Sequence, residues 1–564
     1  MSRRRRALGA LLGAALALAG CASIPDSGPV RPGQDSAVAL DEPPVRVLPP
    51  PPRPGAGPED VVRGFLLASA SPEDDRASAR AYLAPETAQD WRPQAGARVY
   101  ESGTLRIARR GASVTLTAQQ VAAIGPDGRY VPEAEPVLLR TRFSVQQVGG
   151  EWRIDGLEPG LLHTTFDVER TYRTASVYFL DPSGRTVVPD LLALPVRSSM
   201  ATALTQRLLE GPSDWLAPAV RTAVPAGTAL AVASVPVVGG VAQVDLTEEA
   251  FGAGSEERQA LSAQIVWTLR QLDEVRSVRI SVEGGEYAVP GVAGEQSRDS
   301  WPGFDPGALP EDADAAVVRD GVLGRLEGEG WVAVAGEAGT GGARVREPAL
   351  SLAGDVAAVL SPDRRRLLRG ALTPDAPLVP VLTGGDLAEP SWDRYGHLWS
   401  VDRADGTVRV AAADGAPVAV AVPSGLRVVG VRVARDGARA LLLVRRGQGY
   451  ALLVGAVVRG GGEVPLRVVG PVVVAPEVVD VRDVAWVDDG RVAVLGVVEG
   501  EGRQVRVVDV SGWDAVPTGP VDAVSVAAAP DRPVLVGTPD GQVLRAAGRS
   551  WTAAGPGADP AYPG

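Results

Sequence analysis

The sequence predicts a multi-domain chain with an N-terminal α+β domain, a central α/β domain and an all-β C-terminal domain built of repeats. Three observations carry this reading. Helix-spaced apolar residues give way to alternation between residues 58 and 157, helix and strand patterns interleave between 199 and 282, and from Trp301 helical periodicity disappears among valine-, glycine- and arginine-rich strands. Composition places a leader at 1–20 and a linker at 21–58, ahead of folded parts at 59–165, 166–292 and 301–564.

The leader has three regions. Arg3 to Arg6 form a basic head, Ala7 to Ala17 an apolar stretch too short to span a bilayer, and Leu18-Ala19-Gly20-Cys21 closes it with small residues before a cysteine. This is the pattern of a bacterial lipoprotein signal. Cleavage between Gly20 and Cys21 would leave Cys21 as an S-diacylglycerol, N-acyl cysteine. One acyl chain holds only marginally, so a diacylglyceryl group is the minimum for stable residence. The expectation is a cell-membrane lipoprotein on the extracytoplasmic side. Cys21 is the only cysteine, so the folded parts rely on buried apolar surface, not on disulfides. Pro43, Pro44, Pro49 to Pro52, Pro54 and Pro58 then favour an extended stalk.

Pro58-Glu59-Asp60 opens a helix whose Val61, Val62, Phe65 and Leu66 share a face, and a second short helix is expected over 77–83. Alternation at 113–117 and 141–145 predicts antiparallel strands, with turns at Pro126-Asp127-Gly128 and Gly149-Gly150. In the central part, Ser198 or Ser199 can cap a helix with Ala201, Leu204 and Leu208 on its inner face, and Gly211-Pro212 ends it. A strand over 241–246 follows. Ser255 is expected to cap a helix with first-turn acids Glu256 and Glu257 and a stripe of Leu261, Ile265, Leu269 and Leu272, before a strand with Val278, Ile280 and Val282 inward.

Five turns recur in the C-terminal part, at Asp363, Asp393, Asp436, Asp489 and Asp531, each followed by an apolar strand. Their spacings of 30, 43, 53 and 42 residues straddle the period of propeller blades. Aspartate bonds the backbone two residues on and glycine accepts the reversal, so the repeat reads as architecture. A β-propeller of about five to six blades fits, with 317–335 as an extra blade candidate.

Charge and chemistry exclude several functions. The net charge of −12 falls to −16 once the four leader arginines are removed, which disfavours nucleic acid. Lysine is absent, which rules out a Walker loop or a lysine Schiff base, and no Gly-x-Ser-x-Gly elbow occurs. His163 and His397 are the only histidines and read as packed residues; no catalytic, metal or cofactor-binding residue is assigned. Gly211 and Gly227 serve turns, Asp245 pairs locally and Gln264 satisfies polar neighbours.

The run Gly150-Glu151-Trp152-Arg153-Ile154-Asp155-Gly156-Leu157 resembles the last strand of an NTF2-like cone. Leu208 to Pro212, Thr222 to Thr228, Val244-Asp245-Leu246, Ala263 to Leu269 and Val278 to Val282 resemble a GerMN domain, a non-catalytic interaction module of exported lipoproteins. The order of lipobox, stalk, NTF2-like part, GerMN-like part and propeller resembles the LpqB lipoproteins of actinobacteria. That resemblance implies a non-enzymatic accessory that binds the ectodomain of a sensor histidine kinase, MtrB, and modulates two-component signalling linked to cell-wall metabolism and division. Two alternatives stand beside it: a propeller that holds cell-wall glycan or peptide, and an exported propeller enzyme, which convergent carboxylates on the axis would favour.

Overall fold

The computed structural model describes residues 49–72, 76–196, 199–311, 313–328, 330–412, 416–498, 500–512 and 515–564. Gly20, Cys21, Ser198 and most of the proline-rich segment lie outside the described residues. No helix among the described residues is long and apolar enough to cross a membrane.

Helix α1 (Pro58–Ser69) starts with proline at its first position and Glu59 and Asp60 in its first turn, where free amides favour acids. Val61, Val62, Phe65 and Leu66 are buried against a six-stranded sheet. Its strands are β1 (Ala97–Tyr100), β2 (Arg106–Arg110), β3 (Ser113–Ile124), β4 (Tyr130–Val148), β5 (Glu151–Gly156) and β6 (Leu161–Thr164), in the order β5-β4-β3-β1-β6 with β2 on β3. Phe65 meets Trp91 and Phe143 edge-on at 5.2 and 6.2 Å. The second helix, α2 (Ala77–Arg80), is shorter than expected. The chain beyond it joins the sheet: Ile154 N–H donates to the Tyr82 carbonyl at 3.0 Å, and Ala84 N–H to the Ile154 carbonyl at 2.7 Å. A third helix, α3 (Pro85–Asp90), follows.

Helix α4 (Thr165–Thr171) is held by a reciprocal cap between Thr164 and Asp167. It leads into a hairpin, β7 (Tyr172–Leu180) and β8 (Val187–Pro195), in which every residue of β8 except Pro195 is buried. After α5 (Met200–Glu210) come β9 (Val237–Val238), β10 (Val241–Leu246), α6 (Ser255–Leu269), β11 (Ser277–Val282), β12 (Gly285–Glu286) and β13 (Gln296–Ser297). β10 and β11 run parallel, joined by α6 as crossover. The cap of α6 is Gly254, not Ser255: Glu257 accepts the Gly254 N–H at 2.7 Å. Its expected apolar stripe is buried, and so is the rest of the helix from Ala260 to Leu269, because hairpin and sheet cover opposite sides.

Six four-stranded sheets follow, at 346–383, 391–420, 428–474, 478–520, 525–556, and a first blade of Ala316–Arg319, Val322–Glu327 and Gly330–Ala333. The extra candidate is therefore a real blade. It is completed by Ala558–Ala561, which pairs antiparallel with Ala316–Arg319 and closes the ring, hiding the edges that an open sheet would present.

Candidate functional site: the axial mouth of the propeller

Each blade offers its innermost strand to the axis: Arg346–Leu350, Ser391–Trp392, Val428–Val433, Val478–Trp486, Ser525–Ala527 and Ala558–Ala561. These strands, and the residues leading into them, enclose a cavity of about 170 Å³ with Glu347, Glu389, Arg432, Asp483, Ser525 and Asp559 in its wall. Arg432 stands at its centre. Its guanidinium pairs with Glu389 and lies 3.0 Å from Asp483 Oδ1, and the other Asp483 oxygen accepts the Val526 N–H at 2.8 Å. Blades three, four, five and six are thereby stitched together. On the opposite side Glu347 pairs with Arg364 and, at 3.1 Å, with Arg346, while its N–H donates to Asp559 Oδ2 at 3.1 Å.

Electrostatics at the mouth are crowded. Burial raises the proton affinity of Glu389 and Asp483, and Arg432 opposes it; one guanidinium serves two carboxylates, so they titrate together. Glu347 is raised by burial against the pull of Arg364. Glu347 and Asp559 both take left-handed backbone angles, φ +47° and +49°, uncommon for residues with a Cβ. Glu347 Oε2 is buried without a hydrogen-bond partner among the described residues. Such a site can hold a polar group on a rigid ring of paired charges.

The other end of the axis is closed. Arg435, its guanidinium lowered to about 10 by burial, donates to the Pro563 carbonyl at 2.8 Å. Beyond it the central domain docks: Val188, Leu216 and Ala219 pack on Ala438 and Ala456. Two tyrosines cross this junction. Tyr178 donates to Asp489 Oδ2 at 2.8 Å, and Tyr395 to Asp181 Oδ2 at 2.6 Å.

The turn aspartates do not meet at the axis. Asp393 accepts from Trp399 Nε1 at 3.0 Å, His397 Nδ1 lies 3.2 Å away, and Arg459 pairs with it at 3.0 Å. Asp436 takes the buried Arg439 at 2.7 Å, and Asp363 accepts the Arg365 N–H at 3.1 Å. In the fourth turn Asp488, not Asp489, bonds the backbone, accepting the Gly490 N–H at 2.9 Å; Asp489 is the carboxylate given to Tyr178. Asp531 stands in the corresponding turn of blade six with φ +56°. His163 is fully buried beside Tyr172. Asp245 accepts Ser281 Oγ at 2.7 Å, and Gln264 bridges the Tyr178 carbonyl and the Ala223 N–H at 2.9 and 2.7 Å.

The carboxylates that do converge, Glu347, Glu389, Asp483 and Asp559, were not read from the sequence. One signal was present: an acid followed by proline recurs at Glu347-Pro348, Glu389-Pro390 and Asp559-Pro560, the first two 42 residues apart. Proline suits the start of a strand, where its missing N–H leaves no ladder bond unmade.

Residues 51–169 match the family model "Lipoprotein LpqB, N-terminal domain", 176–288 the model "Sporulation and spore germination", and 321–563 "Lipoprotein LpqB beta-propeller domain". A Thermobifida fusca protein named Lipoprotein LpqB is 34% identical, over 98% of this chain and 97% of its own length. This chain belongs to the LpqB lipoprotein family. A Streptomyces coelicolor LpqB is 32% identical over 100% of this chain and 98% of that protein. Among solved structures, the first GerMN domain of the sporulation protein GerM from Bacillus subtilis is similar over 23% of this chain and 99% of that one, at 23% identity and a TM-score of 0.20.

Proposed function

We propose that this LpqB-family chain is anchored through Cys21 on the outer side of the cell membrane, performs no reaction, and binds the ectodomain of an MtrB-type sensor kinase. By favouring one conformation of that receptor it shifts two-component output governing cell-wall metabolism and division. The supporting observation is the polarity of the propeller. The central domain docks on the turns of blades three to five through Tyr178, Asp489, Tyr395 and Asp181, whereas the axial mouth is charged and has exposed side chains such as Arg427, Arg445 and Arg482 in and beside it. Carboxylates do converge on the axis, the feature that favours the enzyme alternative, but they are engaged by arginines. Here Glu389 and Asp483 share Arg432, and Glu347 is engaged by Arg346 and Arg364, an arrangement suited to holding a surface in shape.

Crosslinking in intact membranes, with native and Cys21→Ala protein, tests this. Native protein should capture a histidine-kinase ectodomain, and Cys21→Ala much less of it. Captured material free of any such ectodomain would discard the receptor reading.

A further inference from the structure

A second cavity, of about 310 Å³, opens beside the axial mouth and shares Arg403, Leu443 and Arg482 with it. Its other charged walls are Arg427 and Arg445 of blade four and a single carboxylate, Asp386. Four arginines around one acid is an excess of positive charge in a chain whose net charge is −12. Asp480 pairs with Arg482, but none of Arg403, Arg427 and Arg445 belongs to an ion pair among the described residues.

These cations are held in place, not left to spread. Arg403 Nε donates to the Val429 carbonyl at 3.0 Å, Arg427 Nη2 reaches the Arg403 carbonyl at 3.4 Å, and Arg445 lies over the Tyr450 ring at 5.6 Å. Burial, with Arg364 adding to it, weakens the hold of Arg403 on its proton, and the nearby Glu347 and Asp386 offset this only in part. Guanidinium groups converging from three blades suit a tetrahedral oxyanion, whose several acceptors can receive more than one planar fork.

We propose that this cleft binds a phosphate group carried on a sugar or polyol, the repeating chemistry of a phosphodiester-linked envelope polymer. The arginines take the phosphate, Tyr450 offers a ring face to the carrier's carbon skeleton, and Asp386 accepts from a carrier hydroxyl. The phosphate chemistry follows from these residues alone; its source in the envelope rests on the extracytoplasmic reading above.

The test is a calorimetric titration of the full-length lipoprotein in detergent with sn-glycerol 3-phosphate, inorganic phosphate, glycerol and a short-chain phosphatidylglycerol. Saturable binding of glycerol 3-phosphate, weakening with added salt and absent for glycerol, is expected. The Arg427→Gln/Arg445→Gln variant, altered at two exposed side chains, should keep its melting temperature and bind roughly tenfold or more weakly. No saturable response to either soluble phosphate, or equal binding by the variant, would overturn the proposal. Binding of the phospholipid alone would overturn the polyol source. Since the titration contains no receptor, its failure leaves the receptor reading standing.

Discussion

Asp393 carries the polar core of its blade. Its carboxylate is fully enclosed and accepts from Trp399, His397 and Arg459, whose side chain is itself only 1% exposed. Burial would raise it, but these donors and the Arg459 charge outweigh burial and hold it below the ordinary carboxylate range. Asp393→Ala leaves a buried guanidinium unpaired and should cost about 3–5 kcal/mol, read from denaturant unfolding. His163 acts in the opposite sense. Burial, reinforced by Arg76, lowers it to about 3, while the unfolded chain takes this proton near 6.5. The unfolded state binds the extra proton between those values, so stability should fall by about 1.4 kcal/mol per unit as pH drops below 6.5. Melting curves of native and His163→Gln protein between pH 7 and 5 check this: the native slope should be steeper, and equal slopes would refute it. A duty met within one turn is legible: Asp363 accepts the Arg365 N–H two residues on, whereas the partners of Asp245, Gln264 and Asp489 lie 36, 86 and 311 residues away and nothing beside them in the chain reveals them.

Turns and strands carry the same contrast between local and distant causes. Four of the five recurrent aspartate turns join the first and second strands of their blades, but Asp363 lies between the second and third strands of blade two. That slip of phase explains the short first spacing of 30 residues. The closing strand Ala558–Ala561 was invisible as such, since its partner lies at the other end of the domain and only ring closure pairs them. Deleting 558–564 should expose the edge of Ala316–Arg319 and yield oligomers in size-exclusion chromatography; a monodisperse monomer would contradict closure by this strand. The burial of α6 on all sides was likewise hidden, because periodicity registers one packed face and the hairpin supplies the second. At the domain junction, Tyr178→Phe leaves the part-buried Asp489 carboxylate short of a donor. A loss of about 1–3 kcal/mol is expected, with the central domain and propeller unfolding less cooperatively in calorimetry.

Across the molecule, the order of parts was the most legible property, since each change of period marks a change of fold class. The axial mouth was the least legible. Its charges come one or two from each blade, and only the closed ring brings Glu347, Glu389, Arg432, Asp483 and Asp559 to one cavity. In the proposed function this mouth is carried on a chain held to the membrane through Cys21. Cys21→Ala should move the protein from the membrane to the aqueous fraction on cell fractionation, while its melting temperature stays unchanged, since Cys21 precedes the folded parts. The decisive experiment is equilibrium binding of the purified full-length lipoprotein to a purified sensor-kinase ectodomain, with charge reversals Arg427→Glu and Arg482→Glu at exposed side chains in and beside the mouth and a distant control, Arg106→Glu. A saturable complex weakened by the mouth variants and untouched by the control is the predicted result. Absence of a complex, or one indifferent to the mouth, would contradict it.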